Sequence, residues 1–410
     1  MSQRPVRSGI AVPLALTGGL ALARAAAVAP LSDPLGAPLP DGLHLALPWG
    51  YLLAAPLFSL WDGVSMLSMR RLEGFLLGLG VLFVLYRAGR FALRRRATLL
   101  GELGALAAAV AALAGFLAAG MLWHRPMAAL AGAAPDEVVV DFHTHTRASH
   151  DVGGTLMDGY DIRANLAWHR RAGFDAAFLT DHNTATPVPA ARLPAIACPG
   201  IEVSAWRAHV LLLGATAPVD RRRYNRDLPS LLDLLRTSEA EYGALSVASI
   251  PEYARNHWGR LDTLVATGLD GFEIVNASPK ANELTRAARD SVAALARRTG
   301  RFLLGVSDHH GWGATSMVWN LVKVPGWRSA PDGLCAGVLD RLQTGFGAVR
   351  IVERHRLRPD AAWPRLLTPL GVVWESWRSM GWPATASWLA WIWGPWAVLR
   401  WRRRRAPAPA

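Results

Sequence analysis

Metal-capable side chains follow directly after an apolar, β-branched run near the middle of the chain. A predicted strand covers Val138–Phe142, and the sequence continues as HTHTRASHD. Side chains alternate between two faces in an extended segment, so His143 and His145 are expected to point to the same side. The chain must therefore adopt a fold in which the end of this strand opens onto a shared polar site.

The same pattern recurs after later predicted strands. In chain order, the clusters are His143, His145, His150 and Asp151; Asp181 and His182; Glu202 and His209; and Asp308, His309 and His310. In barrel-like α/β folds the carboxyl ends of the strands face one site, so these residues can converge. A mixture of imidazoles and carboxylates favours Zn, Mn or Fe and argues against an all-oxygen Ca or Mg site. We therefore predict a multinuclear metal site.

Between residues 134 and 358, short apolar runs alternate with amphipathic helices. The predicted strands are Val138–Phe142, Ala176–Leu179, Ala197–Val203, His209–Leu213, Leu245–Ile250, Gly271–Val275, Phe302–Val306 and Leu321–Val324. The predicted helices are Tyr160–Ala172, Leu228–Tyr242, Ala281–Thr299 and Cys335–Gln343. This alternation indicates an α/β architecture with a largely parallel sheet.

Apolar stretches on both sides of this segment indicate a membrane protein. They are Ile10–Leu31, Leu43–Leu60, Leu72–Tyr86, Thr98–Trp123 and the tryptophan-rich Trp382–Leu399. The first is either a transmembrane helix or a cleavable signal peptide, and the next two are short for a span of about 20 residues. We expect a membrane region at 1–125 with three to four apolar helices, a catalytic domain at 134–358 and a second membrane segment at 364–410.

The formal charge of +13 comes mostly from arginines that flank these apolar stretches. Such positions predict contact with a lipid bilayer and not with nucleic acid. The positive-inside rule expects three groups of arginines on the cytoplasmic side of the membrane: Arg4 and Arg7; Arg87, Arg90, Arg94, Arg95 and Arg96; and the C-terminal arginines. This arrangement places the soluble segment outside the cytoplasm. If both short stretches cross the membrane, the segment is cytoplasmic instead. The two cysteines, Cys198 and Cys335, indicate no disulfide framework and leave the redox compartment undetermined.

The ordered motifs DFHTHTRASHD, LTDHN, GIEVS, GFEIVN and VSDHHG resemble those of the PHP (polymerase and histidinol phosphatase) superfamily. The resemblance covers roughly residues 137–352. It implies a distorted (β/α)7 barrel, here flanked by transmembrane helices, with two or three divalent metal ions at its mouth. It also implies hydrolysis of phosphoesters.

The same resemblance implies a ligand set. His143, His145 and Asp308 would hold one ion, Glu202 would bridge to a second ion bound by His209, and His182 and His310 would hold a third with Asp151 or His150. The family often has SDG where this chain has SHD, and we expect Asp151 to be the ligand. The catalytic centre would then be formed by Glu202, His182 and Asp308.

One position departs from the family pattern. The family places a histidine in an AHP turn, and this chain has Ser249-Ile250-Pro251 there. The second ion therefore lacks one protein ligand, and the site would hold two ions in practice or keep a water at that position. His257 is either a substitute ligand or an ordinary surface histidine.

Several further residues are candidates for contact with substrate or with the ligands. Asp181 orients an imidazole or caps the following turn, and Glu273 and Asn276 contact substrate or backbone. His309 protonates a leaving group or, as we expect, faces solvent. Arg147 and Arg255 either attract an anionic substrate or form surface salt bridges.

The function predicted from these features is that of a membrane-anchored, metal-dependent phosphoesterase. Its substrate would be an anionic small molecule, a lipid phosphate or a phosphorylated polymer. A hydrolase of carboxylic esters or carbamates is one alternative, because an activated water does not select phosphorus by itself. A non-catalytic domain that senses a metal ion or an anion is the other, and Ile250 supports it.

Overall fold

The computed structural model describes residues 10–94, 98–189 and 193–405. Arg4, Arg7, Arg95 and Arg96, on which the predicted membrane orientation depends, lie outside these residues. The strands are β1 (Leu31–Ser32), β2 (His44–Ala46), β3 (Ala129–Ala131), β4 (Glu137–Thr144), β5 (Ala176–Leu179), β6 (Ile196–Ala205), β7 (Ala208–Leu213), β8 (Leu245–Ala248), β9 (Gly271–Asn276), β10 (Phe302–Val306), β11 (Val318–Lys323) and β12 (Val349–Arg354).

The helices surround the sheet and continue beyond it. They are α1 (Ala11–Ala25), α2 (Trp49–Leu53), α3 (Ala55–Ser65), α4 (Met69–Arg94), α5 (Leu99–Leu122), α6 (Ile162–Ala172), α7 (Arg221–Tyr224), α8 (Leu228–Tyr242), α9 (Glu252–Asn256), α10 (Leu261–Thr267), α11 (Arg286–Thr299), α12 (Leu334–Gln343), α13 (Thr368–Ser379) and α14 (Trp382–Arg405). Predicted and observed bounds agree for β5, β10 and α8. The predicted strands missed β12, which pairs with β1 from the N-terminal region.

The sheet has ten strands in the order β1-β12-β11-β4-β5-β6-β7-β8-β9-β10. The pairs β4–β5, β5–β6, β8–β9 and β9–β10 are parallel, and the other neighbours are antiparallel. The prediction of a largely parallel sheet is therefore wrong, because β7 reverses direction in a hairpin with β6. Asn320 of β11 accepts a hydrogen bond from Gly305 N of β10 (2.9 Å), so the sheet curls until its last strand approaches its middle.

Strand β4 is buried on both faces, which explains its run of β-branched residues. Val138, Val140 and Phe142 pack in one cluster, where the Phe142 ring stacks on Phe178 with centroids 5.2 Å apart. Val139 points the other way and packs in the cluster that contains Trp168 of α6. Burial of this kind leaves the strand no exposed face, and the histidines at its carboxyl end are buried as well.

Helices α4 and α5 are long and apolar enough to cross a membrane. Only 6% of the most apolar window in each is buried. Arg87 and Glu102 join them, with Arg87 Nε donating to Glu102 Oε2 at 2.7 Å. The predicted stretch Leu72–Tyr86 is thus not short, because it lies inside a 26-residue helix.

Two other apolar stretches differ from prediction. Leu43–Leu60 forms no continuous helix, because Pro48 precedes the short α2 and Pro56 begins the separate α3. Trp382–Leu399 lies inside α14, which contains Pro395. Within the described ranges, only α4 and α5 combine the length and apolar character of a span.

The two cysteines form a disulfide, which the sequence prediction did not include. Cys198 of β6 and Cys335 of α12 are joined across a sequence separation of 137 residues. Strand β6 also carries Glu202 on the same segment. The bond therefore ties a strand of the candidate site to the helix that packs behind it.

Asp62 of α3 connects the N-terminal region to the curled sheet. Its carboxylate is buried and accepts hydrogen bonds from Arg125, Tyr51 and Thr315. Arg354 at the end of β12 also donates to it, at 2.7 Å. The helices before residue 125 are thus held to the sheet by a buried charged network.

Candidate metal centre

All eight predicted ligands converge at one end of the curled sheet. The structure brings together three overlapping groups whose ligand atoms lie within 4.8 Å of one another: His143, His145 and Asp308; His182, Glu202 and His209; and His145, Asp151, His182 and His310. Each ligand lies in a strand or just after one. The groups share His145 and His182, so they form a single centre.

Glu202 lies at the middle of this centre and is buried. Its Oε2 is 3.1 Å from His143 Nε2, 3.3 Å from His145 Nε2 and 3.1 Å from His182 Nδ1. Despite these distances, Oε2 accepts no hydrogen bond with acceptable geometry from any described residue. A buried carboxylate oxygen without a hydrogen bond is costly, and a cation is its natural partner. This atom therefore supports binding of a divalent metal ion.

The imidazoles of His143 and His145 face each other. Their Nε2 atoms are 3.0 Å apart, so at most one of them can carry a proton toward the other. His143 Nδ1 lies 2.7 Å from Glu273 Oε1, and Glu273 in turn accepts from Ile250 N at 2.8 Å. This is the arrangement in which a carboxylate fixes the tautomer and orientation of a metal-binding histidine. Glu273 therefore positions His143, a role that the sequence did not single out.

Asp308 and His310 follow β10 on a tight turn. Asp308 adopts a left-handed backbone conformation with φ of 48°, which is uncommon outside glycine and concentrates at functional sites. Its backbone N donates to His143 O at 2.9 Å, so the turn is fixed against β4. Asp308 Oδ1 is then 3.3 Å from His145 Nε2.

Asp151 and not His150 belongs to the third group. Asp151 Oδ2 lies 2.9 Å from His310 Nε2 and 3.3 Å from His182 Nε2. Ser149, which the sequence prediction missed, is buried and donates to Asp151 Oδ1 at 2.7 Å. His150 is exposed, and its ring centroid is 5.0 Å from that of His182.

The carboxylates favour protonated imidazoles in the centre. Burial lowers the pKa of His143, but Glu202, Asp308 and Glu273 outweigh it and raise this pKa well above its usual value. Burial likewise opposes ionisation of His209, yet Glu202, 3.0 Å away, raises the pKa of His209 to about 9. Positive charge is therefore stabilised at the place where a metal ion would supply it.

Two predicted roles require correction. Asp181 does not orient an imidazole; its buried carboxylate accepts from Thr146 N at 2.6 Å and Thr146 Oγ1 at 2.8 Å and thereby fixes the loop after β4. His309 does not face solvent, because its ring stacks on Trp168 with centroids 3.8 Å apart. Burial lowers the pKa of His309 well below its usual value. Asn276 contacts backbone, which was one of the two predicted roles: it accepts from Ser278 N at 2.9 Å. It also donates to Glu273 at 3.0 Å and so supports the same positioning network.

His257 is neither a substitute ligand nor a surface residue. It is buried, and its Nε2 bonds to the carbonyl oxygens of Trp206 and Arg207. Glu252 lies closer to the centre, with Oε2 4.0 Å from His209 Nδ1. The sequence signal for it was its position two residues after Ile250, in the turn where the family pattern has a ligand.

A cavity of about 770 Å³ opens above the centre. Its polar lining includes Asp151, His182, Glu202, His209, Asp308 and His310, and Arg255 and Lys280 lie at its exposed side. Arg147 is exposed and is not part of this lining. An anion that enters the cavity would thus meet two cationic side chains before it reached the histidines.

No family model matches the chain, and no curated protein matches it. The chain is similar to several solved structures, including the following two. One is a protein from Bifidobacterium adolescentis described as a metal-dependent phosphoesterase, with 18% identity and a TM-score of 0.30; the match covers 43% of this chain and 88% of the other. The other is PsfC from Pseudomonas syringae, with 16% identity and a TM-score of 0.36; the match covers 59% of this chain and 98% of the other.

Proposed function

We propose that the protein is a membrane-anchored, metal-dependent phosphoesterase whose curled sheet is a distorted (β/α)7 barrel of the PHP type. The observation that carries this proposal is the convergence of eight imidazole and carboxylate ligands around Glu202. The motifs that supply these ligands resemble the PHP superfamily, and that resemblance suggests phosphoesters as the substrate class. The catalytic centre would be Glu202, His182 and Asp308.

The donor set fits two or three divalent ions such as Zn, Mn or Fe. The first would be held by His143, His145 and Asp308, the second by His182, Glu202 and His209, and the third by His145, Asp151, His182 and His310. When bound, such ions supply activation of water and neutralise charge on phosphoryl oxygens. His145 belongs to two of the groups but has only Nε2 available as a ligand atom, because its Nδ1 faces Ser149 Oγ at 3.3 Å. One nitrogen cannot bind two ions at once, so the geometry is consistent with two bound ions.

The protein's own residues orient the reaction. Glu273 holds His143 so that Nε2 points into the centre, and Arg255 and Lys280 attract the phosphate group to the cavity. In hydrolysis, a water oxygen bonds to phosphorus and the ester P–O bond breaks. The proton lost by the water passes to solvent, and the leaving alcohol takes one up.

The position of the domain is a further part of the proposal. Helices α4 and α5 would anchor the chain in the bilayer, and the disulfide between Cys198 and Cys335 suits an oxidising compartment outside the cytoplasm. Labelling of intact cells with a membrane-impermeant reagent, after reduction of the disulfide, tests this placement. Cysteines that react only after lysis would place the domain in the cytoplasm.

Turnover by the full-length protein in detergent tests the activity. We would load it separately with Mn, Zn and Fe and measure hydrolysis of p-nitrophenyl phosphate and bis-p-nitrophenyl phosphate. The double variant His143→Ala, Asp308→Ala should lose about a thousandfold in kcat/KM, because ligand loss removes several kcal/mol of transition-state stabilisation. His44→Ala removes an exposed imidazole outside the centre and should keep the wild-type rate.

Absence of turnover with all three metals, together with stoichiometric metal binding, would reject the phosphoesterase. That result would favour the sensor. Hydrolysis of p-nitrophenyl acetate alone, abolished in the double variant, would favour the carboxylic ester hydrolase.

A further inference from the structure

The cavity above the metal centre extends to the ends of the two apolar helices. Its apolar lining includes Trp61 and Val64 of α3, Leu72 of α4, and Leu117 and Met121 of α5. One cavity is therefore lined both by the histidines and carboxylates of the centre and by apolar side chains of α3, α4 and α5.

Helix α5 ends directly on the turn that carries two of the ligands. Gly313 N donates to Met121 O at 2.6 Å, and His124 Nε2 lies 2.8 Å from Gly311 O. This turn follows Asp308 and His310 without interruption. The contacts fix the carboxyl end of α5 beside the centre.

Helix α4 begins at the opposite side of the same opening. Met69 N donates to Pro279 O at 3.1 Å, and Arg70 N donates to Glu283 Oε1 at 2.9 Å. Lys280 lies in this segment and lines the cavity. The domain-proximal ends of both helices therefore lie at the cavity, and Lys280 lines it.

The distal parts of both helices are exposed and apolar. Leu77, Val84, Leu103 and Leu106 are all exposed. The 24 residues of α5 extend roughly 36 Å at 1.5 Å per residue, enough for a hydrocarbon core of about 30 Å. If they cross the bilayer, the cavity opens at the level where lipid headgroups lie.

We infer that the substrate is a lipid phosphate, a phosphate ester whose apolar tail stays along α4 and α5 while its phosphate reaches the metal centre. This inference rests on the proposed function and selects one substrate class from it. Free nucleotides and sugar phosphates would leave Leu72, Leu117 and Met121 exposed to water in the complex. A lipid tail covers them and adds apolar burial to the binding energy.

Substrates that share a headgroup and differ in their tail test this inference. Full-length protein in mixed micelles would be given glycerol 3-phosphate or dioleoyl phosphatidic acid, and, for diesters, glycerophosphocholine or dioleoyl phosphatidylcholine. We expect kcat/KM to be about a hundredfold higher for the lipid of the pair that reacts, because even one methylene in an apolar pocket contributes about tenfold or more.

A pair of variants on α5 locates the tail. Leu117→Gln, in the cavity lining, should lower kcat/KM for the reactive lipid about tenfold and leave its soluble partner unchanged. Leu106→Gln makes the same change on an exposed part of the helix away from the cavity and should leave both unchanged.

Equal kcat/KM for the lipid and its soluble partner would overturn the inference and leave the phosphoesterase standing. Hydrolysis of p-nitrophenyl phosphate without hydrolysis of either lipid would also overturn the inference and leave the phosphoesterase standing. Failure of all these substrates, p-nitrophenyl phosphate included, would reject the proposed function and the inference with it.

A separate observation concerns the turn where Ile250 replaces a ligand. Glu252 lines the cavity beside His209, and its buried Oε2 has no hydrogen-bond partner among the described residues. The backbone N of Ile250 is bonded to Glu273, which fixes this turn against the centre. We propose that Glu252 is a metal ligand that completes the group of His182, Glu202 and His209.

Metal content tests this role without reference to activity. Ions per chain would be counted by mass spectrometry after dialysis, and Kd measured by calorimetry, for wild type and Glu252→Gln. We expect loss of one ion, or a rise of at least about tenfold in one Kd. Glu239→Gln, a change of the same kind at an exposed site, should match wild type. Unchanged stoichiometry and Kd in Glu252→Gln would overturn the assignment.

Discussion

Two buried clusters of charged groups lie in this protein, and their hydrogen bonding differs. Around Asp62, each carboxylate oxygen has donors: Thr315 and Arg125 on one oxygen, Tyr51 and Arg354 on the other. Two guanidinium groups more than balance the one negative charge. The carboxylate of this cluster therefore needs no further partner.

The metal centre is the opposite case. Glu202 Oε2 is surrounded by three ring nitrogens, yet it accepts no hydrogen bond from the described residues. Among the described residues, the ion pairs of Glu202, Asp308 and Asp151 in the centre all involve histidines. The comparison shows how to separate buried charge that stabilises a fold from buried charge that binds: the first carboxylate is paired with fixed cations, and the second is surrounded only by imidazoles that can give up their protons to make room for a metal ion.

The largest expected effect comes from breaking the centre at its middle. Glu202→Gln should lower kcat/KM about a thousandfold, since it removes the carboxylate shared between ions. Stability of the metal-free protein should fall less than it does in Asp62→Asn, because this carboxylate pairs with imidazoles that can release their protons, among them His209, whose pKa it raises to about 9. Turnover assays and denaturant unfolding in chelator measure the two quantities. A large loss of metal-free stability would show that Glu202 is structural.

Breaking the other cluster should have the reverse result. Asp62→Asn should lower the free energy of unfolding by about 3–5 kcal/mol, because Arg125 and Arg354 are left buried without a counter-charge. Metal bound per folded chain should remain that of wild type. Urea unfolding followed by tryptophan fluorescence measures the free energy of unfolding, and mass spectrometry measures the metal bound per chain. Unchanged stability would refute the assignment of a structural role.

The same cluster predicts a pH dependence. Burial raises the pKa of Asp62, but Arg354 and Arg125 outweigh it and hold this pKa below its usual value. A lowered folded-state pKa contributes stability above the unfolded pKa of about 3.9, which is lost as the pH falls. As the pH falls from 5 into the acid range, the free energy of unfolding should therefore decrease more for wild type than for Asp62→Asn. The difference should be about 3–5 kcal/mol, the size of the effect of the substitution itself. Parallel curves would contradict this.

Sequence patterns predicted the convergence of the candidate ligands better than the residues that support them. His143, His182 and Asp308 follow strands whose apolar runs are recognisable locally, so their meeting at one place could be predicted from the sequence. Asp62 could not, because its partner Arg354 is 292 positions away and the pairing exists only after the sheet forms.

Other misses have related causes. Cys198 and Cys335 pair only because α12 packs behind β6, and two isolated cysteines carry no spacing signal. Strand β12 contains Glu353, a buried residue whose charge is compensated by Arg289 from a distant helix, so its apolar pattern was interrupted. Glu252 begins the short helix α9, and its distance from His209 depends on how that helix packs beside β7, which the sequence does not specify.

Metal removal should have an effect of intermediate size on stability, and it tests the same difference between the two clusters. An ion present at 100 times its Kd stabilises the folded state by about 2.7 kcal/mol, so chelation should lower the free energy of unfolding of wild type by about that amount per ion. Asp62→Asn should show the same decrease, and in Glu202→Gln the decrease should be smaller by the contribution of the ion that Glu202 would hold. Thermal unfolding with and without chelator measures the shift. An equal shift in wild type and Glu202→Gln would mean that the stabilising ion binds elsewhere.

The smallest effect is expected at the support of the centre. Glu273→Gln keeps an acceptor for His143 Nδ1 but removes the charge that raises the basicity of the ring. Metal affinity should fall by about 10–100-fold, as for other carboxylates behind a metal-binding histidine. Glu375→Gln alters a similar pair, in which His355 Nε2 lies 2.8 Å from the carboxylate, but at a place outside the ligand groups.

Calorimetric titration of both variants with Zn or Mn therefore separates the two kinds of histidine–carboxylate pair. Affinity reduced only in Glu273→Gln is the expected result. Equal affinity in Glu273→Gln and wild type would mean that His143 is held by packing alone, since the ring would keep its orientation and basicity without the charged partner.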